Sequence, residues 1–136
     1  MAKNWMVIGC VLAGLGVAAG AFGTHALQGA VSGELLMVYA TAARYQMIHA
    51  VALLFVGLAA GHWPDRRWDI AGWLFTSGTI VFSGSLYVLA LTGSRWLGAI
   101  TPIGGACFLG GWMVAALAAS RAAGRPGAAN VRDGAA

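Results

Sequence analysis

Charge is what this sequence has least of. Only 9% of its 136 residues are charged, four acids against eight Lys and Arg, where a soluble domain carries about 25%. So few charges cannot cover a water-facing surface, which argues against a soluble enzyme domain. Of the four acids only Glu34 and Asp69 fall near the ends of apolar segments, so a paired-carboxylate mechanism or a carboxylate proton relay lacks its parts. Cysteine is scarce too. Cys10 and Cys107 both lie inside apolar runs, which speaks against a disulfide framework or a thiolate metal site and suits small buried hydrophobes. Walker loops, HExxH, CxxC and GxSxG are missing; no catalytic residue and no metal site is assigned, and the cofactor stays unknown. The net charge of +4 does not imply nucleic acid, because Lys3, Arg44, Arg66, Arg67, Arg95, Arg121, Arg125 and Arg132 are scattered rather than gathered into a stripe interleaved with aromatics.

What is abundant is apolar. Hydrophobic residues make up 60% of the chain, and they gather into four blocks at about 5–23, 36–61, 70–91 and 102–119. Each approaches or exceeds the roughly 20 residues that a helical crossing needs. The fold class expected is all-α, a four-helix transmembrane bundle over 1–120. The Ala/Gly/Arg-rich tail, 121–136, has no periodicity and reads as disordered and cytoplasmic. The second block is long and is expected to begin as an interfacial helix near Glu34, entering the membrane around Tyr45. Lys3 ahead of an apolar run resembles a signal peptide, but the run is of spanning length and reads as a retained first helix. Gly93 and Ser94 close the third helix, while Thr101 is placed to cap the fourth, with Pro102 at its first position. Asp65, Arg66 and Arg67 read as a solvated loop.

Four spans put the N-terminus, the 62–69 loop and the tail on one side. That side holds Lys3, Arg66, Arg67, Arg121, Arg125 and Arg132, against Arg44 and Arg95 on the other, so both termini are expected to be cytoplasmic. Trp5, Trp63, Trp68 and Trp73 then fall near the inner interface and Trp96 near the outer, as aromatic belts.

Lipid tails are as apolar as leucine, so helices associate in a membrane through close packing of small residues. The first block supplies Gly9, Ala13, Gly16, Gly20 and Gly23, and the fourth Gly104, Cys107, Gly111, Ala115 and Ala118. Both sets step by three and four, as one helix face does, and are expected to pack within one bundle, or else between copies. Polar residues gather at one depth. Counting about 1.5 Å per residue from Gly61 puts His49 roughly 18 Å up, in the outer half of a hydrocarbon core about 30 Å thick. Tyr45 and Gln46 lie one turn above it, and Gly72, Thr76, Thr79, Ser83 and Tyr87 form one stripe on the third helix. His25, Arg44 and Thr101 complete the candidate ligand-binding cluster: His25, Arg44, Tyr45, Gln46, His49, Ser83, Tyr87 and Thr101. Two readings stand side by side: a polar pocket open toward the outer face, or hydrogen bonds that only fix helix register. Arg44 also reads as an interfacial snorkeller, and His25 with His49 form a weak candidate pair of axial haem ligands.

Several strings taken in order carry a resemblance: 20–27 (GAFGTHAL), Tyr45-Gln46 with His49-Ala50, 82–87 (FSGSLY) with 91–93 (LTG), and 100–105 (ITPIGG) with Gly111-Trp112. Together the chain resembles the YgdD-like small inner-membrane proteins, the domain-of-unknown-function 423 family with transmembrane-protein-256-like relatives. Thr24 stands where that pattern often has a smaller residue. The match covers about 5–118. It implies a multi-pass protein of the bacterial cytoplasmic membrane and supplies no activity, cofactor or site residue. The leading expectation is a non-enzymatic bundle that binds a lipid, a quinone-like or other amphiphile, or a membrane protein partner at the outer pocket. The alternative is a homo-oligomeric transporter or channel subunit assembled through the glycine seams. A lipid-directed enzyme with His49 or His25 as base ranks last, because no nucleophile, base and orienting group can be assigned from spacing.

Overall fold

The computed structural model describes residues 1–123, and every regular element among them is helical. In chain order these are α1 (Ala2–His25), α2 (Gly33–His62), α3 (Arg66–Gly78), a π-helical turn (Thr79–Ser83), α4 (Gly84–Thr92), a 3-10 turn (Arg95–Ala99) and α5 (Thr101–Ala123). Since α3, the π turn and α4 run on as one segment, the described residues hold four spans long and apolar enough to cross a membrane. Residue 1, the 63–65 link and the end of α5 share one end of the bundle, the terminal end. Residues 26–32 and 93–100 share the other, the loop end.

The element boundaries have local causes. Ser32 caps α2, its hydroxyl accepting from the Leu35 amide at 3.3 Å. α2 is one helix of 30 residues, about 45 Å long at 1.5 Å per residue. Asp65 caps α3 by accepting from the Arg67 amide at 2.9 Å, so Arg66 and Arg67, expected in a solvated loop, instead form the first helical turn. Gly93 ends α4 at φ +72°, a left-handed closure open to glycine at little cost. Thr101 does not cap amides. Its hydroxyl reaches the Leu97 carbonyl at 3.3 Å and Ser85 Oγ at 3.0 Å, because the 3-10 turn feeds helical backbone straight into α5. That last helix runs to Ala123, into the stretch expected to be disordered; residues 124–136 lie outside the described ones.

α1 packs along α2, α2 also lies against the third span, and that span packs along α5. Glycine lets the backbones of packed helices close on one another. A Cβ on Gly9 would sit 2.9 Å from the Ala50 carbonyl oxygen, and one on Gly104 only 2.5 Å from the Phe82 amide nitrogen. Gly16 faces Met47 and Gln46 of α2, and Gly111 faces the Phe75 ring, whereas Gly20 meets nothing within 4 Å. Gly20 is therefore no part of that contact; the seam on α1 repeats through Gly9, Gly16 and Gly23.

The core fills the terminal half, where Trp5, Leu53, Val56, Trp68 and Phe75 are fully buried among Ala52, Ala59, Ala71 and Phe108. Two of the tryptophans expected in the interfacial belt are in this core: Trp5 is 2% exposed and Trp68 1%, while Trp63, Trp73 and Trp96 do face outward. Trp5 goes inside because the bundle gives its indole both a slot and an acceptor. Its ring fills the space left by Gly72, where a Cβ would come within 2.6 Å, and its N–H donates to Asp69 at 2.7 Å. Trp68 sets its ring edge-on to Phe55 at 5.6 Å.

Candidate functional site

α2 carries the polar centre. Successive residues turn by about 100°, so Tyr45 and His49, one turn apart, share a face of the helix, while Gln46 leaves it about 100° round from Tyr45 and about 60° from His49. Gln46, 6% exposed, spans the bundle. Its amide nitrogen donates to the Leu12 carbonyl of α1 at 2.8 Å, and its oxygen accepts from the Tyr87 hydroxyl of α4 at 3.0 Å. Ser83 donates to the Ala42 carbonyl at 2.9 Å, pinning the π turn to α2. Thr76 and Thr79 return their hydroxyls to their own helix, on the carbonyls of Gly72 and Phe75.

His49 sits on the α5 side. Its Nδ1 lies 2.8 Å from the Tyr45 carbonyl. A carbonyl only accepts, so this nitrogen carries the proton. Nε2 lies 3.3 Å from Trp112 Nε1, and an indole N–H only donates. The two contacts together define a neutral imidazole with both nitrogens engaged. The ring is stacked on Phe108 at 3.4 Å with 4° between planes, and Tyr45 lies beside the pair, 6.2 Å from each ring centre.

The eight candidate residues are thus not gathered into one pocket. Gln46, Ser83 and Tyr87 line a groove of about 450 Å³ between α1 and the third span. Tyr45 and His49 line another, about 560 Å³, between α2 and α5 with Phe82, Pro102 and Trp112. His25 and Arg44 are exposed and line neither. Thr101 is bonded to Ser85 at the loop end. His25 and His49 share no cavity, and the second ring nitrogen of His49 is committed to Trp112, so the pair does not fit axial haem ligation. No metal-binding group of three or more His, Cys, Asp or Glu converges among the described residues. The loop-end ion pair of Arg95 with Glu34, 3.9 Å apart, is solvent-exposed and of little energetic weight.

Two features escaped the sequence. Trp112 and Phe108 complete the histidine site, and depth would have found Trp112: it lies eleven residues from the end of α5, roughly 16 Å by helical rise. A recess of about 380 Å³ at the loop end, between α1 and α2, is lined by Gly20, Gly23, Thr24, Gln28 and Tyr39; nothing in the spacing marked it.

Four apolar spans around a buried Trp–aromatic core make this a small multi-pass helical membrane protein. Its family is given by the sequence comparisons. Residues 19–105 match the family described as "Protein of unknown function (DUF423)". The chain is 45% identical to a UPF0382 membrane protein of Staphylococcus aureus over 90% of this chain and 99% of that one. It is 45% identical, with the same coverage, to a UPF0382 membrane protein of Staphylococcus epidermidis. It is 40% identical to the UPF0382 membrane protein YwdK of Bacillus subtilis, over 86% of this chain and 96% of that one. No solved structure matches. The chain belongs to the DUF423 family, and it is a protein of the bacterial membrane.

Proposed function

We propose that this protein is a non-enzymatic bundle that binds a membrane amphiphile in the groove between α2 and α5. The observation that carries the reading is the groove itself. About 560 Å³ of space lies against Tyr45, Phe82, Phe108 and Trp112 around His49. Flat aromatic walls suit an acyl or isoprenoid body. With both nitrogens of His49 engaged, the groove offers no free base and no activated nucleophile, which favours binding over reaction. The Tyr45 hydroxyl has no partner among the described residues, and the residue is exposed on the groove wall, where it can take the ligand's polar end.

Lys3, Arg66, Arg67 and Arg121 mark the terminal end, with Arg125 and Arg132 later in the sequence, so that end faces the cytoplasm and the groove opens in the outer half of the bilayer. Assembly of a transporter through the glycine seams is less well supported, because Gly9, Gly16, Gly104 and Gly111 already face neighbouring helices of the same chain.

The test is lipid analysis of protein purified in gentle detergent or native nanodiscs. Ala106 is exposed on the groove wall, so Ala106→Trp fills the space without entering the core. Wild type is expected to retain a stoichiometric amphiphile and Ala106→Trp to lose it at unchanged melting temperature. Equal retention by both proteins would remove the groove from consideration.

A further inference from the structure

The recess at the loop end is walled by a largely buried tyrosine whose hydroxyl, still accessible, has nothing among the described residues to bond. Tyr39 is 6% exposed, lines the recess, and its hydroxyl has no hydrogen-bond partner among the described residues. The ring cannot swing to find one. It lies flat on Gly23, where a Cβ would be 2.9 Å away, and it is packed against Tyr87 at 4.8 Å and Phe22 at 6.3 Å between centroids. Tyr87, the nearest phenol, has its own hydroxyl committed to Gln46. A hydroxyl that the protein leaves without a partner is free to donate to an acceptor seated in the recess.

The rest of the lining specifies that acceptor. Thr24 donates its proton to the Gly20 carbonyl at 2.7 Å and so presents only lone pairs. Gln28, exposed at the mouth, offers an amide that donates and accepts. Leu36, Ala40 and Ala43 supply the remaining apolar wall, and no charged side chain lines the space. A phosphate head would find no counter-charge there. Tyr39 also lines the groove between α1 and the third span, together with Leu12, Leu15, Ala19, Ile80 and Leu91. Its ring is thus a wall shared by the recess and by the groove that Gln46, Ser83 and Tyr87 also line.

We infer that the recess holds the uncharged, carbonyl-bearing head of a membrane amphiphile, hydrogen-bonded by Tyr39, with its apolar tail in the surrounding lipid. This site is separate from the α2–α5 groove. Two sources share the chemistry, an isoprenoid quinone and a glyceride ester, and the experiment separates them. The full chain in nanodiscs is titrated with decylubiquinone, with dioctanoylglycerol and with dioctanoyl phosphatidic acid as the charged comparison. Saturable binding of one or both neutral probes is expected; whichever binds names the source. Tyr39→Phe keeps the ring and removes only the donor, and is expected to weaken binding roughly five- to tenfold. Gly20→Leu, at a position with open space around it, is expected to abolish binding by filling the recess. Ala106→Trp is expected to leave it unchanged, so loss in that variant would place the probe in the other groove and overturn the assignment. Equal affinity of wild type and Tyr39→Phe, or tighter binding of the phosphatidic acid than of either neutral probe, would overturn it as well.

Discussion

Replacing Gln46 tests whether the polar centre is a helix tie or a ligand contact. Its carboxamide joins three helices through the Leu12 carbonyl and the Tyr87 hydroxyl. Interhelical hydrogen bonds in a membrane average about 0.6 kcal/mol, with a maximum near 1.7, so losing both in Gln46→Leu should cost about 1–3 kcal/mol. Leucine fills nearly the same volume, which keeps cavity formation out of the measurement. The Leu12 carbonyl stays in the ladder of α1, and the group left wanting is the half-buried Tyr87 hydroxyl. Tyr87→Phe removes the donor instead and strands the Gln46 oxygen, at about 1–2 kcal/mol. In the double variant neither atom is stranded, so its cost should fall short of the sum by about 0.6–1.7 kcal/mol. The assay is reversible unfolding in mixed micelles followed by the fluorescence of the six tryptophans. Costs that add to within about 0.3 kcal/mol would refute the reasoning. So would single variants of unchanged stability that lose a bound lipid, since these residues would then serve a ligand.

Two further outcomes are expected. Gly9→Ala and Gly14→Ala sit on the same helix, but only the first meets a neighbour, the Ala50 carbonyl at 2.9 Å, while nothing lies within 4 Å of the second. Both gain the same helix propensity, so by the overpacking cost alone Gly9→Ala should be less stable by about 1–3 kcal/mol, and equal stabilities would contradict the close-packed seam. The Asp65 carboxyl is held below the ordinary carboxylate range, first by the Arg67 amide and then by the Arg67 charge. A depressed native value means that its contribution is present above the unfolded pKa and is lost as pH falls through the native one, here from about pH 4 downward. Asp65→Asn keeps a capping side chain and should flatten the acid limb of the unfolding curve; an identical slope in wild type and variant would show that the cap does not titrate.

Much of the fold was readable because hydrocarbon imposes a simple length rule. The four blocks located every span, and Gly93 marked the end of the third. Charge misled at Asp65, Arg66 and Arg67, where polar residues next to Pro64 look solvated although an aspartate preceding a helical run is also a cap. Tryptophan misled through its amphipathic character. Trp5 lies four residues before Gly9 and shares the seam face with Gly16 and Gly23, so helical counting alone would have placed it inside. Similarly, Trp68, Ala71, Gly72 and Phe75 step along the chain as a buried stripe does. The π turn had no local signal, and a widened turn shifts the phase of every later residue on the span. Depth counting did put Gln46, His49, Ser83 and Tyr87 near one level. Equal depth did not make them one site, because which side of the bundle each side chain faces depends on helix rotations that only packing fixes.

Those rotations also explain where the open space falls. Glycine draws α1 onto α2 and the third span onto α5 until backbone meets backbone or ring. Across α2 and α5 the contact is instead made by stacked rings, His49 on Phe108 with Trp112 beside them, and rings hold helices apart where glycine lets them close. A groove is the geometric consequence of a bundle tight on two contacts and ring-spaced on the next. Between the middle of the bundle and its loop end, polar atoms divide by whether the protein answers them. Gln46, Tyr87, Ser83 and both nitrogens of His49 are answered from within the chain and so fix register. The hydroxyls of Tyr39 and Tyr45 are not, and they stand at the two recesses whose walls are otherwise largely apolar. In the proposed reading the ligand's acceptor atoms belong beside those two phenols, and its apolar body belongs where the helices fail to meet.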